Sequence, residues 1–286
     1  MRNTQLPTII ATIFSFLNEN VEYAVLRNYD GLPTKNKSRD IDILIDRNSF
    51  SKIKKDLVKL IEKSNFKIIT YFNSDRICTF VCGQYNSEPS IFQLDFFFHT
   101  SAFGTILLPS ECALKDRVYN GWIYHVTEEY MFLDKYLYLK YIGSAFPEKY
   151  SWLKSKMYNN VELNRILQEL FKIESLDILE AMPTSKFRHL VLRRNAQMFF
   201  KADMINHCRF YILYIKNYIF GKGYSIGFTG PDGVGKTTVI NEIEAFLRTV
   251  YSNTQLYHFR PSMFGNLSDV AHSAGIKKTV DRNYSK

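Results

Sequence analysis

Gly230-Pro231-Asp232-Gly233-Val234-Gly235-Lys236-Thr237-Thr238 reads G-x-x-x-x-G-K-T. That spacing suits a loop whose backbone N–H groups, with the N-terminus of a following helix, converge on phosphate oxygens. The flanks fit. Tyr224-Ser225-Ile226-Gly227-Phe228-Thr229 reads as a buried strand, and Val239 to Leu247 has helical apolar spacing. Strand, loop and helix are expected to open an α/β module that binds ATP through Gly230, Asp232, Gly233, Val234, Gly235, Lys236, Thr237 and Thr238. Lys236 is expected to reach the outer phosphates and the Thr237 hydroxyl to hold Mg²⁺.

The rest of the chain is globular in composition. Of 286 residues, 46% are hydrophobic and 15% aromatic, which excludes a disordered chain. The formal net charge of +9 suits anionic partners: nucleotides foremost, nucleic acid or anionic lipid less so. Cys78, Cys82, Cys112 and Cys208 form no C-x-x-C pair and read as free thiols, giving an expectation of a reducing, cytoplasmic setting. Residues 1–20 lack the pattern of a signal peptide. The apolar run Phe210 to Ile215 stops at Lys216, too short to span a bilayer.

Three segments follow from the patterning. Residues 1–126 read as an α+β module, with a helix over 8–19, strands at Tyr23 to Leu26, Ile41 to Ile45, Phe66 to Phe72, Ile77 to Cys82 and Ile91 to Phe98, and a helix at Lys52 to Lys63. Residues 127–222 read as all-helical: Glu128 to Ile142, Tyr150 to Met157, Val161 to Phe171, Ser175 to Ala181, and one long helix from Phe187 to Phe220. Residues 223–286 hold the start of the α/β module, entered through Gly221-Lys222-Gly223.

A second candidate site lies in Arg39-Asp40-Ile41-Asp42-Ile43-Leu44-Ile45. Alternate residues of a strand share a face, so Asp40 and Asp42 project together while Ile41 and Ile43 turn to the core. Adjacent carboxylates repel unless a cation lies between them. Asp95, in Gln93-Leu94-Asp95-Phe96-Phe97-Phe98, interrupts an apolar run and calls for a partner or a metal. Three acids on neighbouring strands offer hard oxygens to Mg²⁺, the ion that serves phosphoryl and nucleotidyl transfer. The spacing alone equally allows a solvated strand face for Asp40 and Asp42 and a strand-end position for Asp95.

Tyr23-Ala24-Val25-Leu26-Arg27-Asn28, a polar loop, Asp40-Ile41-Asp42-Ile43 and the later Asp95 resemble the DNA polymerase beta-like nucleotidyltransferase superfamily over roughly residues 8–100. The resemblance implies transfer of a nucleotide from an NTP, with Asp40, Asp42 and Asp95 as metal ligands. Where that superfamily usually carries Gly-Ser, this chain has Arg27-Asn28, a cation for phosphate and a hydrogen-bond donor. The helices after residue 127 are similar to the follow-on domain of small-molecule nucleotidyltransferases. Phe228 to Thr238 resembles the loop of the thymidylate kinase family, with the resemblance covering 224 to about 262. It implies that Asp232 positions a phosphate acceptor and that Arg260, in His258-Phe259-Arg260-Pro261, contacts the acceptor's phosphate. Past Pro261 neither a strand ending in an acid nor an arginine-rich lid is legible.

The expectation is therefore an ATP- and Mg²⁺-using phosphotransferase with a nucleotidyltransferase-like module, acting on a nucleotide, sugar or polysaccharide precursor. Nucleotidyl transfer at the acidic site is one alternative, and a non-catalytic nucleotide sensor or scaffold is another. Lys186, Arg188, Arg193, Arg194, Lys201 and Arg209 read as the solvated face of a helix. His99 reads as structural, though it follows the Asp95 strand closely.

Overall fold

Period-two alternation divides the first part of the chain between two faces of one sheet. The computed structural model describes residues 5–34, 40–84, 90–219, 226–228, 233–250 and 256. They belong to two compact units, Met1–Lys222 and Gly223–Lys286. In the first, α1 (Gln5–Asn20) leads into β1 (Tyr23–Val25), β2 (Asp40–Ile45), α2 (Arg47–Lys63), β3 (Lys67–Asn73), β4 (Ile77–Gln84) and β5 (Ser90–Phe97). The short strands β6 (His99–Ala102) and β7 (Thr105–Pro109) form a ribbon of their own, followed by α3 (Ser110–Lys115), β8 (Val118–Tyr119) and β9 (Tyr124–His125). The main sheet has seven strands in the order β3-β4-β5-β2-β1-β9-β8. It is mixed: β2 runs parallel to β5 and β1 parallel to β9, while the other neighbours are antiparallel.

On one face, Ile41, Ile43 and Ile45 join Leu94, Phe96, Cys78, Phe80 and Cys82 beneath α1 and α2. Phe50, Ile53, Leu57 and Ile61 recur at helical spacing and bury one stripe of α2 in this core. That helix begins earlier than its apolar periodicity indicates, because Asp46 caps it and accepts from the Ser49 N–H at 2.8 Å. On the other face, Ala24, Leu26, Leu44 and Phe97 pack against Phe132, Leu133 and Leu137 of α4 (Glu128–Ile142). α5 (Ser151–Met157), α6 (Val161–Phe171), α7 (Leu176–Ala181) and α8 (Thr184–Arg194) extend the same core. Sheet and helices on either side of residue 127 thus share one apolar interior within a mixed α and β arrangement.

The β6–β7 ribbon is absent from the sequence expectation. Its two-residue turn, Phe103-Gly104, has positive φ at both positions (52° and 84°), the geometry of a type I′ hairpin. A Cβ on Gly104 would lie 2.8 Å from His207 Nδ1, so glycine is required there. The long helix expected over 187–220 is also corrected. A π-helical turn, Asn195–Phe199, separates α8 from α9 (Phe200–Ile219). Arg194 is not on a solvated face. It is buried, and its guanidinium donates to the Leu107 and Ile106 carbonyls at 2.9 and 2.8 Å. Asn195 Nδ2 donates to the same Ile106 carbonyl and to Asp203 Oδ1, which also accepts from the Ile106 N–H at 2.7 Å. The extra residue of the π-turn brings these polar side chains onto the ribbon.

In the second unit, α10 (Lys236–Val250) forms as its apolar spacing indicates. Of the stretch expected as a strand before it, Ile226, Gly227 and Phe228 are irregular, and its other residues lie outside the described ones. Among the described residues of this unit no strand is available to pair with it, and an isolated strand leaves its backbone groups without partners.

Replacing Asp203 with Ala removes the acceptor for a buried N–H and for Asn195. We expect the loss of about 2–3 kcal/mol of stability, read as a lower midpoint in urea unfolding of the first unit.

Candidate functional site

Register brings the three acids together. In the parallel pair, Asp42 of β2 lies opposite Asp95 of β5, and Asp40 opposite Gln93. Asp40 precedes Asp42 by two residues, so all three carboxylates rise from the face that carries Leu44 and Phe97. One oxygen of each lies within 4.8 Å of those of the other two. Asp42 is 2% exposed and Asp95 6%. The solvated strand face and the strand-end position both give way to a clustered, largely buried arrangement.

Buried carboxylates need partners, and these have them. Arg27, just past β1, donates from Nε to Asp42 Oδ2 at 2.5 Å. The backbone turns left-handed at the next residue, Asn28 (φ 55°), a conformation asparagine tolerates. Arg27 is thus committed to a carboxylate of the site. Thr79 of β4 donates to Asp95 Oδ1 at 2.6 Å, and Gln93 Nε2 donates to Oδ2 at 2.9 Å. Burial pushes the Asp42 carboxyl above the usual carboxylate range, the Arg27 guanidinium pulls it back, and the charges of Asp40 and Asp95 push the same way as burial. Burial opposes the Arg27 charge, but the hydrogen bond and charge of Asp42 outweigh it and hold the guanidinium above its ordinary value. Three clustered carboxylates form an all-oxygen donor set of the kind that fits a hard divalent cation such as Mg²⁺.

Thr79, Gln93 and the pairing of Arg27 with Asp42 are the site features that sequence reasoning missed. Thr79 carried a faint signal, a hydroxyl opposite the core-facing Cys78 and Phe80 of an otherwise apolar strand. Next to the carboxylates, a cleft is lined by Leu26, Arg27, Met131, Asp134, Lys135, Tyr150 and Leu153.

His99 is not part of the acidic group. Its Nε2 lies 3.0 Å from Asn206 Oδ1 of α9, and burial, reinforced by the charges of Arg47, Arg209 and Arg76, pushes its pKa down to about 4. Cys78 and Cys82 are buried and free; burial raises both thiols, Cys82 to about 12.

In the second unit, Gly233 and Gly235 both have φ of 85°, and a Cβ at either would meet open space. Lys236 starts α10, and the Val239 N–H bonds to the Gly235 carbonyl at 3.1 Å. Val234, Thr237 and Thr238 are exposed at the same helix start. Gly230, Asp232 and Arg260 lie outside the described residues.

Comparison with protein-family models gives no match, and comparison with curated proteins gives none either. Among the described residues no helix is long and apolar enough to cross a membrane.

His99 yields a test with a defined sign. An unfolded histidine titrates near 6.5, so the unfolded chain takes up a proton that the folded chain refuses until about 4. Stability therefore falls as pH drops from 6.5 towards 4, with a slope of up to ~1.4 kcal/mol per pH unit from this residue. Urea unfolding of His99→Gln, compared with the parent between pH 6.5 and 5, should show a shallower decline.

Proposed function

We propose that this chain is a magnesium-dependent transferase of phosphorus-containing groups, whose centre in the first unit is nucleotidyltransferase-like. The observation that carries this reading is the register of Asp42 against Asp95, with Asp40 on the same face and an oxygen of each within 4.8 Å of the others. Asp40, Asp42 and Asp95 would hold Mg²⁺. The ion would supply charge neutralisation and activation of an attacking oxygen at a phosphorus centre. Arg27 fixes the Asp42 carboxylate, and Thr79 with Gln93 fixes that of Asp95, so the ligand oxygens are oriented before any substrate arrives. The donor is a nucleoside triphosphate, and the acceptor a hydroxyl or phosphate of a nucleotide, sugar or polysaccharide precursor.

A second reading, ATP-dependent phosphoryl transfer of the thymidylate kinase type, draws support from Gly233 and Gly235. Their left-handed backbone and open surroundings permit close approach of phosphate at the start of α10. Lys236, Thr237 and Thr238 would complete that site, together with Gly230, Asp232 and Arg260.

Paired variants separate the two. In the first reading, Asp42→Asn and Asp95→Asn each weaken Mn²⁺ binding, followed by electron paramagnetic resonance, about tenfold or more, and both abolish pyrophosphate release from NTP. Lys236→Ala leaves both intact. In the second, Lys236→Ala abolishes ADP formation while the aspartate variants retain it. ATP binding with no turnover, lost in Lys236→Ala, would instead mark a nucleotide sensor.

A further inference from the structure

We infer that Arg76 and Lys135, on either side of the Asp42-bound Arg27, form a clamp for the polyphosphate tail of the nucleotide beside the three carboxylates. This rests on the reading of Asp40, Asp42 and Asp95 as a metal centre for NTP chemistry.

Arg76 sits at the end of the β3–β4 turn. Ser74 Oγ accepts from the backbone N–H groups of Arg76 and Ile77, and the Phe98 N–H donates to the Arg76 carbonyl at 3.0 Å. The backbone of Arg76 is therefore fixed against β5. Its guanidinium carbon lies 5.8 Å from the centroid of Phe97 and 5.1 Å from that of Tyr138. Phe97 follows Asp95 by two residues and shares its face. The Arg27 guanidinium carbon lies 5.9 Å from the same Phe97 ring while Arg27 Nε holds Asp42. One ring thus marks the neighbourhood of two arginines, one bound to the carboxylates and the other not.

Charge separates these two arginines. Among the described residues, the Arg76 side chain has aromatic contacts but no hydrogen bond or ion pair to an acid or a carbonyl. It is half-buried, so part of its hydration has been replaced by rings alone. Lys135 is in the same condition. It is half-buried, lines the cleft with Arg27, and stands 4.4 Å from the Tyr150 ring without an acid of its own among the described residues. Lys135 precedes Tyr138 by three residues on α4, so the two side chains share a helix face. Asp134, the acid in that cleft, accepts from Thr100 at 2.5 Å. Two half-solvated cations without acids, next to a third that is paired, form a site for a multiply charged anion. The planar fork of arginine suits two oxygens of one phosphate, and lysine adds a point charge. Carboxylates on one side and cations on the other would give the substrate a direction, with its outer phosphates toward α4 and the β3–β4 turn.

The test uses the full chain carrying Lys236→Ala, so that the second unit contributes little, with inorganic tripolyphosphate and Mg²⁺ as the titrant in calorimetry. Arg76→Met keeps an apolar stem against Phe97 and Tyr138 but removes the charge. It should weaken tripolyphosphate about tenfold or more, with Mn²⁺ binding and melting temperature unchanged. Arg76→Lys should recover part of the loss, which a purely structural role would not predict. Lys135→Met should weaken the same titration, and it carries the test should Arg76→Met fail to fold. Undiminished tripolyphosphate binding in the Met variants, or none in the Lys236→Ala parent, overturns the clamp, and the metal reading survives if Mn²⁺ still binds. Loss of tripolyphosphate in the Met variants of a protein that takes up no Mn²⁺ upholds the clamp and removes the metal centre instead.

Discussion

Like charges placed face to face in a buried setting govern the first unit. The parallel register of β2 and β5 sets Asp42 against Asp95 with Asp40 beside them, and no strand interior tolerates such a group unaided. The surroundings answer that constraint. Arg27 leaves β1 to reach Asp42, Thr79 reaches across from β4, and Gln93 turns to its own strand neighbour. Three different chain segments are thereby tied to one spot. Carboxylate oxygens gathered this closely and held in place by hydrogen bonds could hold a cation between them.

Much of this was legible beforehand. Alternation gave β2, β4 and β5 to within a residue or two, and it placed Asp40 and Asp42 on one face because a strand has a period of two. What alternation cannot supply is register. Nothing in the local pattern of Gln93 to Phe98 says that Asp95 lies opposite Asp42 rather than Asp40, since that depends on how distant segments align. Arg27 was legible as a cation near the site, but its commitment to Asp42 was not. The β6–β7 ribbon escaped notice because its turn is Phe103-Gly104, not the Asn-Gly or Asp-Gly that announces such hairpins. Arg194 was misplaced for another reason. Phe187, Val191 and Arg194 recur at helical spacing on the buried stripe of α8, and only the charge of Arg194, whose carbonyl partners lie far away in sequence, argued for a solvated face.

The two candidate sites differ in how they hold charge. At the acidic site the fold concentrates negative side chains and hydrogen-bonds them in place. At the glycine loop the described features are backbone ones: two left-handed glycines and the start of a 15-residue helix, whose aligned peptide dipoles favour an anion there. The first arrangement is of a kind that suits a cation and the second of a kind that suits an anion.

The contacts around the π-turn carry a consequence for the protein's behaviour in solution. A two-stranded ribbon such as β6–β7 normally exposes amide and carbonyl groups along its sides, an invitation for a strand from another molecule. Here Arg194, Asn195, Asp203 and Asn206 occupy the Ile106 amide and the Gly104, Ile106 and Leu107 carbonyls. The end of α8, the π-turn and the start of α9, which bear these side chains, act as a guard rail against edge-to-edge aggregation at a place where the hairpin would otherwise be sticky.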